Sequence, residues 1–169
     1  QLIAKLMEKT KSTPEGLVEL EMVNQYIAKY IIETFTNYEK NQAQPVTTIY
    51  PAINILRTMC ASQPAYVDTV CLPAFLKAIQ RLVKDHIASS TKGENKVVPA
   101  LAELIIYSLE LLRPRVHAMQ SEARRNIGLC ILQPLIEKAQ IDRVLEVVLK
   151  IVDELVRTGD EKQPNQGIP

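Results

Sequence analysis

The chain has 169 residues and a formal net charge of +1, with 47% hydrophobic residues but only 5% aromatics and no tryptophan. That charge balance excludes a global electrostatic pull toward nucleic acid or a membrane surface. A core so poor in rings must be built from Leu, Ile, Val and Ala, as in stacked helices, and five glycines are too few for an all-β fold with many tight turns. Cys60, Cys71 and Cys130 are odd in number and show no CxxC spacing. Reduced thiols are expected rather than a disulfide framework. No run of about 18 apolar residues is present, so no transmembrane helix is expected. The chain opens on Gln rather than Met, as an excised or processed segment would, and QLIAKLMEK lacks a signal-peptide profile.

A period of 3.6 dominates the pattern. Residues 1–9 read as a short helix or the end of one. KSTPEG at 11–16 is a break, with Pro14 suited to the first turn of the next helix. Residues 15–40 read as one long helix or two joined near Tyr30, and the polar stretch Asn41 to Gln44 ends at Pro45. A helix is expected over 46–60, then a turn at 61–64. Another is expected over 65–88, which Pro73 should kink or split. SSTKGEN at 89–95 reads as a loop. Residues 96–113 form a very apolar helix that Arg-Pro-Arg at 113–115 breaks, and further helices are expected at 118–138 and 142–158. The polar stretch from Gly159 to Pro169 reads as a mobile tail, leaving 1–158 as a single domain.

The helices come in pairs. PAINIL at 51 and PALAEL at 99 open the first member of two such pairs, a spacing of 48 residues. HEAT and armadillo units run to about 40–47 residues. On a helical wheel of the last helix, Val144, Leu145, Val147, Val148, Leu149, Ile151, Val152, Leu155 and Val156 fill a sector of about 200°, whereas a helix covering one core needs a stripe of about 100°. Such a helix expects neighbours on two sides. The helix at 96–113 is similar: apart from Pro99, only Glu103, Tyr107, Ser108 and Glu110 interrupt Val97 to Leu112. The expected fold is all-α, an α-α superhelix of HEAT-like, armadillo-type pairs with about six to eight helices, cut from a longer solenoid.

Candidate chemistry is sparse. His86 and His117 have no HExxH or paired CxxC context, so neither reads as a metal ligand. His86 falls near the expected end of a helix, where a cation suits the dipole. Cys60 or Cys71 with His86 could form a nucleophile and base, but no orienting group or oxyanion element accompanies them. Cys60 and Cys130 lie in apolar helical runs as small hydrophobes. Carboxylates such as Glu19/Glu21, Glu103/Glu110 and Asp153/Glu154 fall on polar faces. There is no GxGxxG, P-loop, HRD or DFG motif, so no cofactor or nucleotide is expected. One basic group stands out: Arg113, Arg115, Arg124 and Arg125 flank the junction of a helical pair. They form a patch for an acidic partner or phosphate, or they pair within the stack with Glu122 and neighbouring carboxylates. No aromatic interleaving supports single-strand stacking.

The run from Arg115 to Val156 resembles the TRRAP/Tra family through SEAR at 121–124, LIEKA at 135–139 and VLKIVDELV at 148–156, about a quarter of the chain. VNQYIAKYIIETF at 23–35 and FLKAIQRLVKDHI at 75–87 are compatible with it. The resemblance implies an internal solenoid segment of a giant PI3K-related pseudokinase, whose kinase-like domain lies outside this chain. It further implies a nuclear, non-catalytic scaffold of SAGA- and NuA-four-type histone acetyltransferase complexes that receives transcription activators. Its partners would be complex subunits, activators and the rest of its own solenoid, with no direct nucleic acid and no membrane. Two other readings compete: a HEAT-repeat adaptor or transport protein outside this family, and a small helical enzyme using Cys and His.

Overall fold

The computed structural model describes residues 14–91, 98–138 and 141–162. Among them every regular element is helical. The reading of residues 1–9 as a short helix lies outside this range. α1 runs Pro14–Lys40, a single helix of 27 residues without a joint at Tyr30. A 3-10 segment, Val46–Ile49, leads into α2, Tyr50–Ser62, with Pro51 in its first turn, where a missing N–H costs nothing. The chain turns at Gln63, and Pro64 opens α3, which comprises Pro64–Tyr66, a π-helical turn at Val67–Cys71 and Leu72–Thr91. α4 is Val98–Leu112 and passes into a 3-10 segment, Arg113–Ala118. α5 comprises Ser121–Ile127, a second π turn at Gly128–Leu132 and Gln133–Lys138. α6 is Asp142–Lys162.

Three expectations change. Pro73 does not split its helix. In an α register its ring would collide with the carbonyl four residues back. Instead the Leu72 N–H reaches five residues back to the Val67 carbonyl, and the widened turn lets the helix pass the proline. Pro134 is absorbed in the same way, with the Gln133 N–H bonded to the Gly128 carbonyl. Secondly, residues 89–91, expected in a loop, complete the last turn of α3; the rest of SSTKGEN falls outside the described residues. Thirdly, α6 continues four residues into the stretch read as a tail, whose remainder also lies outside.

The chain forms two compact units, Gln1–Ala78 and Ile79–Pro169. In the first, α1 packs on α2, on the 3-10 segment between them and on the π turn of α3. Ala28, Ile31, Phe35 and Tyr38 line one face of α1 at spacings of three and four, and all are buried. Phe35 meets Phe75, ring centroids 5.4 Å apart and tilted by 37°. Asn24, also buried, exchanges amide hydrogen bonds with Gln63: Asn24 Nδ2 donates to Gln63 Oε1, and Gln63 Nε2 donates to Asn24 Oδ1 at 2.8 Å. This satisfies two polar groups that would be costly to bury alone, and it fixes α1 against the α2–α3 turn.

In the second unit, α6 packs on α4 and on the 3-10 segment after it, and α5 also contacts α6. Leu101, Ile105, Leu109 and Leu112 of α4 and Val144, Val148 and Ile151 of α6 are buried in this core. Polar side-chain contacts sit at its rim. Arg143 reaches Glu103, with the second guanidinium nitrogen at 3.4 Å, and His117 Nε2 lies 2.7 Å from Glu154 Oε2. Pairs this exposed contribute little to stability; the aliphatic core carries the fold.

Phe35→Ala would leave a void opposite Phe75 and should lower stability by about 3–5 kcal/mol, as for other buried Phe truncations. Urea unfolding of the variant beside the parent chain checks this.

Candidate functional site

The four arginines singled out in the sequence have different surroundings. Arg113 is half-buried and its guanidinium lies 3.6 Å from Glu110 one turn earlier. Arg124 is half-buried and donates to the Met119 carbonyl at 2.6 Å, bracing the start of α5. Arg115 is half-buried on the 3-10 segment and also has an interaction partner. Arg125 is exposed.

The imagined Cys–His chemistry meets unfavourable environments. Cys71 is fully buried, and its thiol is pushed up to about 11 by burial and then by the neighbouring Cys60. It is a neutral thiol at physiological pH, not a nucleophile. His86 is fully buried inside α3, five residues before the helix ends, rather than at an exposed helix terminus. Burial holds its imidazole below the usual range, so it is neutral there. Cys130, expected among apolar neighbours, is exposed on the π turn of α5.

Exposed apolar side chains form a more coherent feature. On α6, Val144, Val147, Val148 and Ile151 are buried, while Leu149 and Val156 are 63% and 57% exposed. Leu145 and Val152 are half-buried between these faces. On α1, Met22, Tyr26 and Tyr30 succeed one another at intervals of four residues and are all exposed, Tyr26 by 74%. Each unit therefore presents a helix that is apolar on a second side. A third feature, which the sequence reading missed, lies in the second unit: a groove of about 470 Å³ between the end of α3 and the C-terminal half of α5. Only the Pro134 interruption in an otherwise helical pattern pointed toward it.

Helices with two apolar sides suit stacked repeats, because each layer is covered by the next. A family model described as the Tra1 HEAT repeat ring region matches residues 1–166. The chain belongs to the Tra1 HEAT repeat ring family. As a Tra1-ring member it is a helical-repeat solenoid segment of a transcription-associated type of protein. It is 35% identical over 167 residues to "Transcription-associated protein 1" of Caenorhabditis elegans, with 95% of this chain and 4% of that protein aligned. It is 32% identical over 158 residues to "Transformation/transcription domain-associated protein" of Homo sapiens, covering 93% of this chain and 4% of that protein. To "Transcription-associated protein 1" of Drosophila melanogaster the identity is 30%, over 87% of this chain and 4% of that protein. The chain thus spans about 4% of the length of these relatives. No solved structure matches it. The matches fall in a helical-repeat region rather than in a catalytic domain, and they set aside an adaptor outside this family.

Two measurements test these environments. Maleimide labelling of the native chain should modify Cys130 first and Cys71 last, with mass spectrometry locating each adduct. Because the folded-state pKa of His86 is depressed, the unfolded chain binds the extra proton more readily. The stability that depends on neutral His86 is present above the ordinary imidazole value of 6.5 and is lost as pH falls below it. The urea midpoint should therefore drop less between pH 7 and pH 5.5 in His86→Leu than in the parent; equal slopes would assign the acid sensitivity elsewhere.

Proposed function

We propose that this chain is one segment of a long non-catalytic scaffold that works in the nucleus, in which stacked helical pairs position the subunits of histone acetyltransferase complexes of the SAGA and NuA-four type and receive transcription activators. The pseudokinase of such a scaffold lies elsewhere in the parent protein. Segments of this kind act by shape: stacked layers make an extended surface whose curvature is set by small rotations between repeats. Within this reading the group Arg113, Arg115, Arg124 and Arg125 offers a shallow contact for an acidic partner. Arg125 is its exposed member, since Arg113 and Arg124 also serve the fold.

The observation that carries the proposal is the second apolar side of α6. Leu149 and Val156 stand out on a helix whose other side already closes a core. Burying a side chain of this size contributes roughly 1.5–3 kcal/mol. Left uncovered, the row gives up that stabilisation and invites association. A further helical layer of the parent protein would cover it at no cost in specificity.

Leu149→Asp separates the two sides of α6. In the isolated segment it should change stability by less than about 0.5 kcal/mol, as exposed substitutions do. In the full-length parent protein it should lower stability around this layer and weaken incorporation into the assembly, read by hydrogen exchange and co-purification. The buried-side control Val148→Asp should unfold the segment in either setting. Full incorporation of the Leu149→Asp protein would refute the stacking argument.

A further inference from the structure

We infer that the exposed strip of α1 built from Met22, Tyr26 and Tyr30 docks a short basic segment of a partner protein, with lysine or arginine side chains set over the two rings. The inference rests on the scaffold reading above and adds to it a surface and a partner chemistry.

The strip follows from residue spacing. At about 100° per residue, Glu19, Met22, Tyr26, Tyr30 and Glu33 fall within a sector of about 80° on one helix. All five are exposed, Met22 by 56%, Tyr26 by 74% and Tyr30 by 44%. The opposite side carries Ala28, Ile31, Phe35 and Tyr38 into the core, so the strip is not needed to hold α1 in place. Its chemistry separates it from α6. Leu149 and Val156 offer only aliphatic groups, which another layer covers well. A tyrosine joins an apolar ring to a hydroxyl that needs a polar partner. A dry helical layer laid on this strip would bury two hydroxyls and two carboxylates at a cost.

Ring electrostatics and charge select the occupant. The face of a tyrosine ring is electron-rich and attracts an ammonium or guanidinium. Neither ring has a cation over it among the described residues. Glu19 and Glu33 close the strip at its two ends. Lys29, beside the strip, only just reaches Glu33, at 4.0 Å, and both side chains are more than half exposed. Such a pair is weak and opens readily. Two carboxylates against one ammonium, around two rings, favour a basic segment and repel an acidic one.

Spacing sets the form of that segment. Tyr26 and Tyr30 are about one turn apart, a rise of about 6 Å. In an extended peptide, alternate side chains point the same way and lie about 6.6 Å apart. Cations at alternate positions therefore meet successive rings. About six extended residues span the roughly 21 Å from Glu19 to Glu33.

The test uses the full-length parent protein and a short synthetic peptide with lysines at alternate positions and a photoreactive benzophenone. Illumination should place an adduct between Met22 and Glu33, located by mass spectrometry and titrated against peptide concentration. Joint Tyr26→Leu and Tyr30→Leu substitution keeps apolar bulk but removes the rings, and it should weaken binding about ten-fold. Joint Tyr26→Phe and Tyr30→Phe substitution should hold it within about two-fold. Joint Glu19→Gln and Glu33→Gln substitution should weaken it about five-fold. A peptide with the same lysines grouped at one end should bind more weakly, and one with glutamates in their place should not bind. All four positions are exposed, so the thermal midpoint should hold. If the leucine pair lowers it, the glutamine pair and the grouped-lysine peptide decide. Unchanged binding in the leucine pair overturns the inference, as does equal binding of the grouped or the glutamate peptide. Absence of any adduct on α1 of the parent protein also overturns it, assigning the strip to a neighbouring helical layer. Displacement by a single-stranded oligonucleotide overturns it too, assigning the rings to base stacking. Failure of the scaffold reading would appear instead in the Leu149→Asp experiment, which leaves α1 unaltered.

Discussion

Aliphatic surface on opposite sides of a helix is the constraint behind most of what this chain displays. With no tryptophan and only 5% aromatics, the core depends on many small contributions from Leu, Ile, Val and Ala. Helices rich enough in these residues to close such a core carry apolar side chains around much of their circumference. α6 is the clearest case. One side fills the second unit, and the other requires a further layer. Stacking answers that requirement without rings, glycine-rich turns or cross-links, so the architecture and the composition imply one another.

Much of the architecture could be read from periodicity. The helical span of 15–40, the apolar α4 and the broad sector of α6 result from residue spacing, because 3.6-residue patterns survive tertiary packing; that α1 has no joint at Tyr30 was not settled by spacing. Prolines were harder to interpret. Pro51 sits in a first turn as expected, and Pro64, expected in the turn before its helix, opens that helix instead. Pro73 and Pro134, however, lie inside continuous helices, since one wide turn relieves the ring clash at modest cost. Sequence alone does not distinguish that outcome from a kink or a break.

The candidate sites were less legible, for a related reason. Burial of a polar side chain depends on which neighbours arrive from distant sequence. His86 looked like a residue at a helix terminus because Ser89 to Asn95 suggested a loop; the helix continues, and the imidazole is enclosed. Cys130 looked like a core thiol, but the π turn shifts the helical phase and turns it outward. The same shift exposes Leu129 and helps form the groove. No residue there is unusual for its helix; the arrangement exists only once the end of α3 and the C-terminal half of α5 line one groove.

The polar contacts within each unit also differ in kind. In the first, the exchange between Asn24 and Gln63 joins two neutral amides, one of them buried. In the second, Arg143 with Glu103 is ionic and exposed to solvent. Mobile ions weaken surface charge pairs over a distance of about 8 Å at physiological ionic strength but leave a neutral amide pair almost untouched. Rising salt would accordingly slacken the Arg143–Glu103 pair of the second unit while the amide joint of the first kept its hold, giving a single short stretch of solenoid two different sensitivities to the surrounding electrolyte.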